Sequence, residues 1–397
     1  MRLRHRDGRT VHLSYCTNVH PAEDLDGVIA QFDLYALPVR ERLGCDVLGL
    51  GLWLAAPVAA ELSADASLRR RLRRELDARG LEVVTLNGFP YREFHSQVVK
   101  HDVYHPDWTT PRRLDYTLDL ARVLVDLLPD DVERGSISTL PLAWREPWDR
   151  TRLDACRRAV DALAVALAAL DRRTGRLIQV GFEPEPGCVI ETTRQAAALL
   201  AGVDTERLGI CLDLAHLACA WEEPAAAIGR LQAAGLPVVK VQVSAALAAE
   251  TPQADAAVLY DYVEPRFLHQ VRSPACGSAA DPADAAHASD DLDEALVTGL
   301  PGPWRVHFHV PLHANPTPPL TSTVPVLREA LAVLLGGAEA VCDHLDVETY
   351  TWNVLPATQR PQNAAQLADG IAAELAFARN ELVSLGLRPP LDSEVIG

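Results

Sequence analysis

The ionisable residues of this chain collect at the ends of short apolar runs, and their types point to metal-assisted acid/base chemistry. Gly181-Phe182-Glu183-Pro184-Glu185-Pro186-Gly187 is such a run finishing in two carboxylates, which the two-residue period of a strand turns to the same side. Cys211-Leu212-Asp213-Leu214-Ala215-His216 adds a third acid and an imidazole, and Asp346-Val347-Glu348-Thr349-Tyr350 sets another carboxylate inside an apolar run. A lone acid in such a place is more often a cap or half of a salt bridge. Acids on three neighbouring strand ends would repel one another severely unless protons or a cation compensate. A hard divalent metal (Mn, Mg, Co or Zn) is the economical solution.

Imidazoles, amides and hydroxyls are at hand to complete such a site. In Val306-His307-Phe308-His309-Val310 the two histidines alternate onto one face, and His269 lies in Leu268-His269-Gln270. A lone histidine is usually a hydrogen-bonded structural residue, but a pair two positions apart favours function. Lys240, Gln242 and Ser244 share a face of Val238 to Ser244, so an amine, an amide and a hydroxyl would line the same pocket and suit a substrate rich in hydroxyls. Asn18 and His20, after Ser14, and Asn87 in Leu86-Asn87-Gly88 supply further polar groups. Lys100 and Lys240 are the only lysines in the chain, arginine having every other fixed positive charge.

These groups need a scaffold that brings strand ends together. Short apolar runs alternate with amphipathic stretches along the whole chain, the pattern of β-α units around a parallel sheet. Strands are expected at Val11 to Thr17, Asp46 to Trp53, Glu82 to Asn87, Ser136 to Leu140, Leu177 to Glu183, Leu208 to Asp213, Val238 to Ser244, Arg305 to Val310 and Leu345 to Tyr350. Helices are expected at Pro57 to Ala78, Leu114 to Leu128, Arg152 to Asp171, Thr192 to Gly202, Pro224 to Ala234 and Asn363 to Leu385. Nine strands are one too many for a (β/α)₈ TIM barrel, whose active site lies at the C-terminal strand ends. Taking Val238 to Ser244 as the seventh strand and Leu345 to Tyr350 as the eighth leaves residues 245–303 as an insertion at the catalytic end. Arg305 to Val310 then packs back toward the barrel mouth. Within the insertion, the Pro/Ala/Asp-rich tract Ser273 to Asp293 reads as a mobile loop or lid. The expectation is one enlarged α/β domain over residues 1–397.

Composition narrows the partners. Of the 397 residues 48% are hydrophobic, ample for a core, and no apolar run approaches the roughly 18 residues of a membrane span. The N-terminus carries Arg2, Arg4 and Arg6 and no secretory pattern, so a cytoplasmic location is expected. The eight cysteines occur singly, without a CxxC pair, and read as buried thiols. A formal charge of −17 would repel a phosphate backbone, which argues against nucleic acid as a partner.

The chain resembles the EboE family of metabolite traffic proteins, a branch of the xylose-isomerase-like barrels. The resemblance rests on Ser14-Tyr15-Cys16-Thr17-Asn18-Val19-His20, Leu86-Asn87-Gly88-Phe89-Pro90-Tyr91, Gly135 to Leu142, Lys240-Val241-Gln242-Val243-Ser244 and Val347-Glu348-Thr349-Tyr350-Thr351-Trp352, which span nearly the whole sequence. In the wider superfamily a Glu of strand five, an Asp of strand six, a His of strand seven and a Glu of strand eight hold the metal. A His three residues after the Asp contacts substrate. The resemblance carries these roles to Glu183, Asp213, Glu348 and His216, but strand seven offers Gln242 in place of His. Either His309 reaches in from the added strand or Gln242 serves as a weaker oxygen ligand.

The implied activity is isomerisation, epimerisation or dehydration of a sugar or cyclitol in a small-metabolite cluster, alongside other proteins of that cluster. Glu183 and Glu348 would exchange a proton with the reacting carbon. His216 and Lys240 would hold or protonate a substrate oxygen, and Asn18, His20, Asn87, Glu185, Gln242, Ser244 and His307 would line the substrate. A non-catalytic metabolite carrier is the alternative, though binding alone needs no acid/base pair. An abasic-site endonuclease relative conflicts with the −17 charge.

Overall fold

The computed structural model describes residues 1–274 and 287–389. Thr10–Cys16, Leu48–Trp53, Leu81–Asn87, Arg134–Thr139, Leu177–Phe182, Leu208–Asp213, Val238–Val243 and His344–Val347 are the first to eighth strands of a closed parallel barrel. The eighth pairs with the first through Asp346 and Ser14, and the first with the second through Ser14 and Gly49, which closes the ring. A short strand, Arg2–Arg4, adds antiparallel to the first. Leucine, isoleucine and valine from nearly every strand are buried on both faces, as a parallel sheet wrapped by helices demands.

The stretch expected as one helix from Pro57 to Ala78 is two, Ala56–Ala64 and Ala66–Asp77. Asp65 takes an extended conformation and its carboxylate accepts the Ser67 N–H at 2.7 Å. Aspartate competes for backbone donors in this way, which ends one helix and caps the next.

After the seventh strand the chain leaves the barrel and builds a second, five-stranded sheet. Its antiparallel order is Ala288–Ser289, Val271–Arg272, Trp304–His309, Ala246–Ala249, Thr321–Ser322. The excursion thus runs past Pro303 to Ser322 before helix Val324–Leu335 leads into the eighth strand. Ala246 follows the seventh strand almost directly and pairs with His309, so the added strand delivers its histidine to the catalytic end of the seventh. Most of the tract Ser273 to Asp293 lies outside the described residues; at its margin, Ala288–Ser289 forms the sheet edge.

The barrel interior is not wholly apolar. Lys240 Nζ lies 2.9 Å from an Asp346 carboxylate oxygen, and both side chains are fully buried. Ser14 Oγ donates to Asp346 at 2.7 Å, and Gly51 leaves room for it, since a β-carbon there would fall well inside contact distance of that carboxylate. Truncating one member of a buried ion pair strands the other charge, at a cost of about 3–5 kcal/mol. Asp346→Ala is therefore expected to lower unfolding free energy in urea by that amount, and the joint replacement Lys240→Met with Asp346→Leu to cost clearly less. Equal losses would show that the pair's charge does not matter.

Candidate active site

The C-terminal strand ends surround a cavity of about 60 Å³. Its polar wall holds Asn18, Asn87, Glu183, Glu185, His216, His307, His309 and Glu348, and its apolar wall Phe89, Phe94, Phe267 and Tyr350. Asp213 is buried directly behind the polar wall, 3.9 Å from His309 Nε2.

Each acid is held differently. Glu348 Oε1 accepts from Asn18 at 2.7 Å and from Asn87 at 2.9 Å. Asp213 Oδ1 accepts from Ser244 Oγ at 2.8 Å and from the His216 N–H at 2.9 Å. Glu185 accepts from Tyr104 OH at 2.8 Å. Glu183 Oε2, Asp213 Oδ2 and His309 Nε2 are buried without a hydrogen-bond partner among the described residues. Burial raises the Glu183 pKa well above the carboxylate range, with the charges of Glu348 and Asp213 adding to it. Burial, then Asp213, pushes Glu348 up to about 8, against the opposing pull of Lys240. Burial depresses His216, His307 and His309, the last to about 4, and so favours neutral rings.

Unpartnered, buried, convergent donor atoms fit a divalent cation. Asp213, His309 and Glu348 each offer an atom within 4.8 Å of the others, and Glu183, Asp213 and His216 do likewise. Spacings of this order suit ligands roughly 2.0–2.6 Å from a shared ion. Asp213 belongs to both groups.

Four residues expected at the substrate do not line this cavity. Lys240 is committed to Asp346 in the barrel interior, because it lies a full alternation below the strand end. Ser244 sits behind Asp213, donating to it and accepting the Ala215 N–H at 3.0 Å. Gln242 is fully buried, neither amide atom having a partner among the described residues. His20 follows a 3₁₀ turn, Thr17–Val19, that stacks it on Tyr35 at 4.0 Å. His269 likewise turns to Glu264 at 2.8 Å and to the His307 carbonyl at 2.9 Å.

The sequence reading missed Tyr104 and Gln270. Gln270 donates to Tyr104 OH at 2.9 Å and meets His307 Nδ1 through Oε1 at 2.7 Å, linking the two ends of the polar wall. Tyr104 lies in the irregular stretch after the third strand, where no periodicity marks it. Gln270 adjoins the more conspicuous His269. The apolar roof, with Phe94, Phe267 and Tyr350 centroids 5.0–5.7 Å apart, was not foreseen either. Lys100, also at the cavity, is ion-paired with Asp291.

Glu374, on the last helix, Ala364–Ser384, braces the loops that carry Glu348 and His309. Its carboxylate accepts from Thr349 Oγ1 at 2.7 Å, the Leu312 N–H at 3.0 Å and Trp352 Nε1 at 3.2 Å.

A sequence profile of the xylose isomerase-like TIM barrel matches residues 40–257, more than half of the chain, and the protein belongs to that family. Among solved structures it resembles a xylose isomerase-like TIM barrel protein from Mycobacterium smegmatis, solved in complex with magnesium. That likeness has a TM-score of 0.51 at 14% identity and covers 94% of this chain and 98% of the other. It also resembles D-allulose 3-epimerase from a Methylomonas species, in complex with D-allulose (TM-score 0.49, 12% identity, 96% and 99% covered). D-psicose 3-epimerase with D-tagatose from Clostridium cellulolyticum H10 gives 0.48 at 14% identity, with 94% and 99% covered. At these identities the likeness is one of fold. No curated protein sequence matches the chain significantly. Among the described residues no helix is long and apolar enough to cross a membrane.

The Glu374 environment makes stability depend on pH. Burial raises this carboxyl from 4.5 to about 7, against its three donors, so the native state holds the proton more tightly than the unfolded chain. The resulting stabilisation is full below the unfolded pKa and is lost as pH rises from there through about 7. Relative to Glu374→Gln, the thermal midpoint of the wild type is expected to fall between about pH 5 and about pH 8; parallel profiles would contradict this.

Proposed function

We propose that the protein is a divalent-metal-dependent isomerase or epimerase, or a dehydratase built from the same parts, acting on a sugar or cyclitol-like substrate. The observation that carries this reading is that Asp213 is shared by two buried groups of convergent donor atoms, one with Glu183 and His216 and one with His309 and Glu348, in which Glu183 Oε2, Asp213 Oδ2 and His309 Nε2 have no partner among the described residues. Glu183, Asp213, His309 and Glu348 would hold the cation, which when bound polarises a substrate carbonyl. The cavity pairs that polar wall with aromatic rings, and a polyhydroxylated ring offers hydroxyls to one side and C–H faces to the other.

The chain's own groups divide the work. Asn18 and Asn87 orient Glu348 and through their hydrogen bonds partly offset the burial that raises its pKa; a bound cation would add its own pull toward the ionised form, which suits Glu348 to take a proton from carbon. Glu183 has a raised affinity for a proton, which suits it to return one on the opposite side. His216, with Nδ1 fixed on the Pro184 carbonyl at 2.9 Å, presents Nε2 to a substrate oxygen. The finer resemblance to the EboE family extends the reading to a small metabolite made by a cluster of cytoplasmic enzymes.

Incubation in D₂O with candidate ketoses and cyclitol ketones, in the presence of Mn²⁺, Mg²⁺, Co²⁺ or Zn²⁺, tests this. Deuterium is expected at the carbon beside the carbonyl, and Glu183→Gln or Glu348→Gln should each slow its incorporation by about 10²–10⁴-fold, the usual contribution of a general acid or base. Chelation should also lower the thermal midpoint. A ligand that raises the midpoint yet exchanges no hydrogen would turn the reading to the metabolite carrier.

A further inference from the structure

His307 is fixed at its far end by a chain of side chains whose direction decides what the ring offers the cavity. Glu185 Oε1 accepts from Tyr104 OH at 2.8 Å, whether or not the other oxygen of that acid carries a proton. With its hydrogen so committed, the Tyr104 oxygen is left as an acceptor, and Gln270 Nε2 donates to it at 2.9 Å. That turns Gln270 Oε1 to His307 Nδ1 at 2.7 Å. An amide oxygen only accepts, so a neutral ring in this place carries its hydrogen on Nδ1. Tyr104, Glu185, Gln270 and His307 are all buried, which keeps bulk water from competing for these bonds.

The consequence appears at the other end of the ring. His216 has its Nδ1 on the Pro184 carbonyl, so its Nε2 is a bare acceptor, and it lies 2.9 Å from His307 Nε2. Left to itself, His307 would carry its hydrogen on Nε2, the form a free imidazole prefers, and would donate it to His216. The two rings would then satisfy each other. Holding the hydrogen on Nδ1 removes that bond and leaves two acceptors side by side, open to hydrogens from outside the wall. One hydroxyl already approaches from the cavity side, Tyr350 OH at 3.5 Å from His307 Nε2.

We propose that Gln270 and Tyr104 are positioning residues that hold His307 as its Nδ1–H tautomer, so that His307 Nε2 stands beside His216 Nε2 as an acceptor for substrate hydroxyl hydrogens. Neither touches the reacting atoms in this role. They act through the ring, as a rigid support that fixes a binding group before the ligand arrives. The support is assembled from separate parts of the chain. Tyr104 ends the 3₁₀ turn Lys100–Tyr104 after the third barrel strand, and Glu185 follows the fifth. Gln270 and His307 both belong to the insertion, where the His307 N–H donates to the Gln270 carbonyl at 2.8 Å and so keeps amide and ring in register. The role toward substrate rests on the reading of this cavity as the substrate site; the hold on the ring does not.

Nitrogen-15 NMR of the full chain, labelled in its histidine rings and kept at about pH 8, where an unperturbed imidazole is neutral, tests it. His307→Asn assigns the His307 signals. In wild type the ring hydrogen is expected on Nδ1, with Nε2 at the downfield shift of a bare ring nitrogen. Gln270→Met, which fills similar space without an acceptor, should move the hydrogen to Nε2, and Tyr104→Phe should do so in part by freeing the amide to invert. Gln270→Glu, which keeps an acceptor there, should return the hydrogen to Nδ1. A wild-type ring with its hydrogen on Nε2, or on both nitrogens, overturns the proposal, and so does a hydrogen that stays wholly on Nδ1 in both Gln270→Met and Tyr104→Phe. Should those variants fail to fold, the wild-type signal decides. The readout needs no turnover: Nδ1–H in a protein that exchanges no hydrogen with any sugar or cyclitol ketone upholds the hold on His307 and removes the isomerase reading.

Discussion

The structure depends on how negative charge is tolerated at one end of a barrel. Glu183, Glu185, Asp213 and Glu348 are all buried there, and each ionised carboxylate taken out of water costs several kcal/mol unless it is matched. The one buried ammonium nearby, Lys240, is already engaged by Asp346. What remains are neutral donors, protons and cations. The neutral donors are placed with evident order: two amides on Glu348, a hydroxyl and a backbone N–H on Asp213, a phenol on Glu185. They satisfy one oxygen of an acid and leave another facing its neighbours. Donors so arranged position carboxylates without neutralising them, and that is the condition in which a cation gains most by binding.

The insertion is therefore part of the chemistry. The seventh strand ends in Gln242 and Ser244, neither of which offers an imidazole, and Ser244 is used to hold Asp213. The antiparallel pairing of His309 with Ala246 brings a histidine to that strand end from about sixty residues further along the chain. The same strand carries His307, and the neighbouring segment carries Gln270, whose amide joins His307 to Tyr104. Glu374 then ties the exit of this strand to the loop after Glu348. A barrel stripped of the insertion would keep its acids and lose two of the three imidazoles that face them.

This division explains what could be read from the sequence. The barrel strands were legible to within two or three residues because a parallel sheet covered on both sides needs continuous apolar runs, and the acids at their ends stood out against that background. Depth along the barrel was not legible. Lys240, Gln242 and Ser244 alternate as expected, yet each step of two residues moves a side chain about 6.6 Å along the strand. That is enough to separate an ion pair in the interior from a hydroxyl near the mouth. Pairing across sheets was equally hidden. Nothing in Leu268-His269-Gln270 says that the glutamine joins His307 to Tyr104 and the histidine turns to Glu264, since that choice is made by register with a distant strand.

The two walls of the cavity differ in how easily they can move. Shifting the polar wall means breaking hydrogen bonds between buried groups, each costly where no water replaces the lost partner. The roof is made of ring contacts among Phe94, Phe267 and Tyr350, which can be exchanged for contacts with another apolar surface at little cost. It is pinned where the loop after the third strand meets the insertion, through the Val99 and Lys100 N–H groups on the Arg266 carbonyl at 2.7 and 2.8 Å and the Lys100–Asp291 ion pair. The seam borders the cavity whose polar wall carries the acids and imidazoles. A sugar or cyclitol that entered by parting this seam would leave the displaced rings free to pack on its C–H faces while the rigid wall received its oxygens.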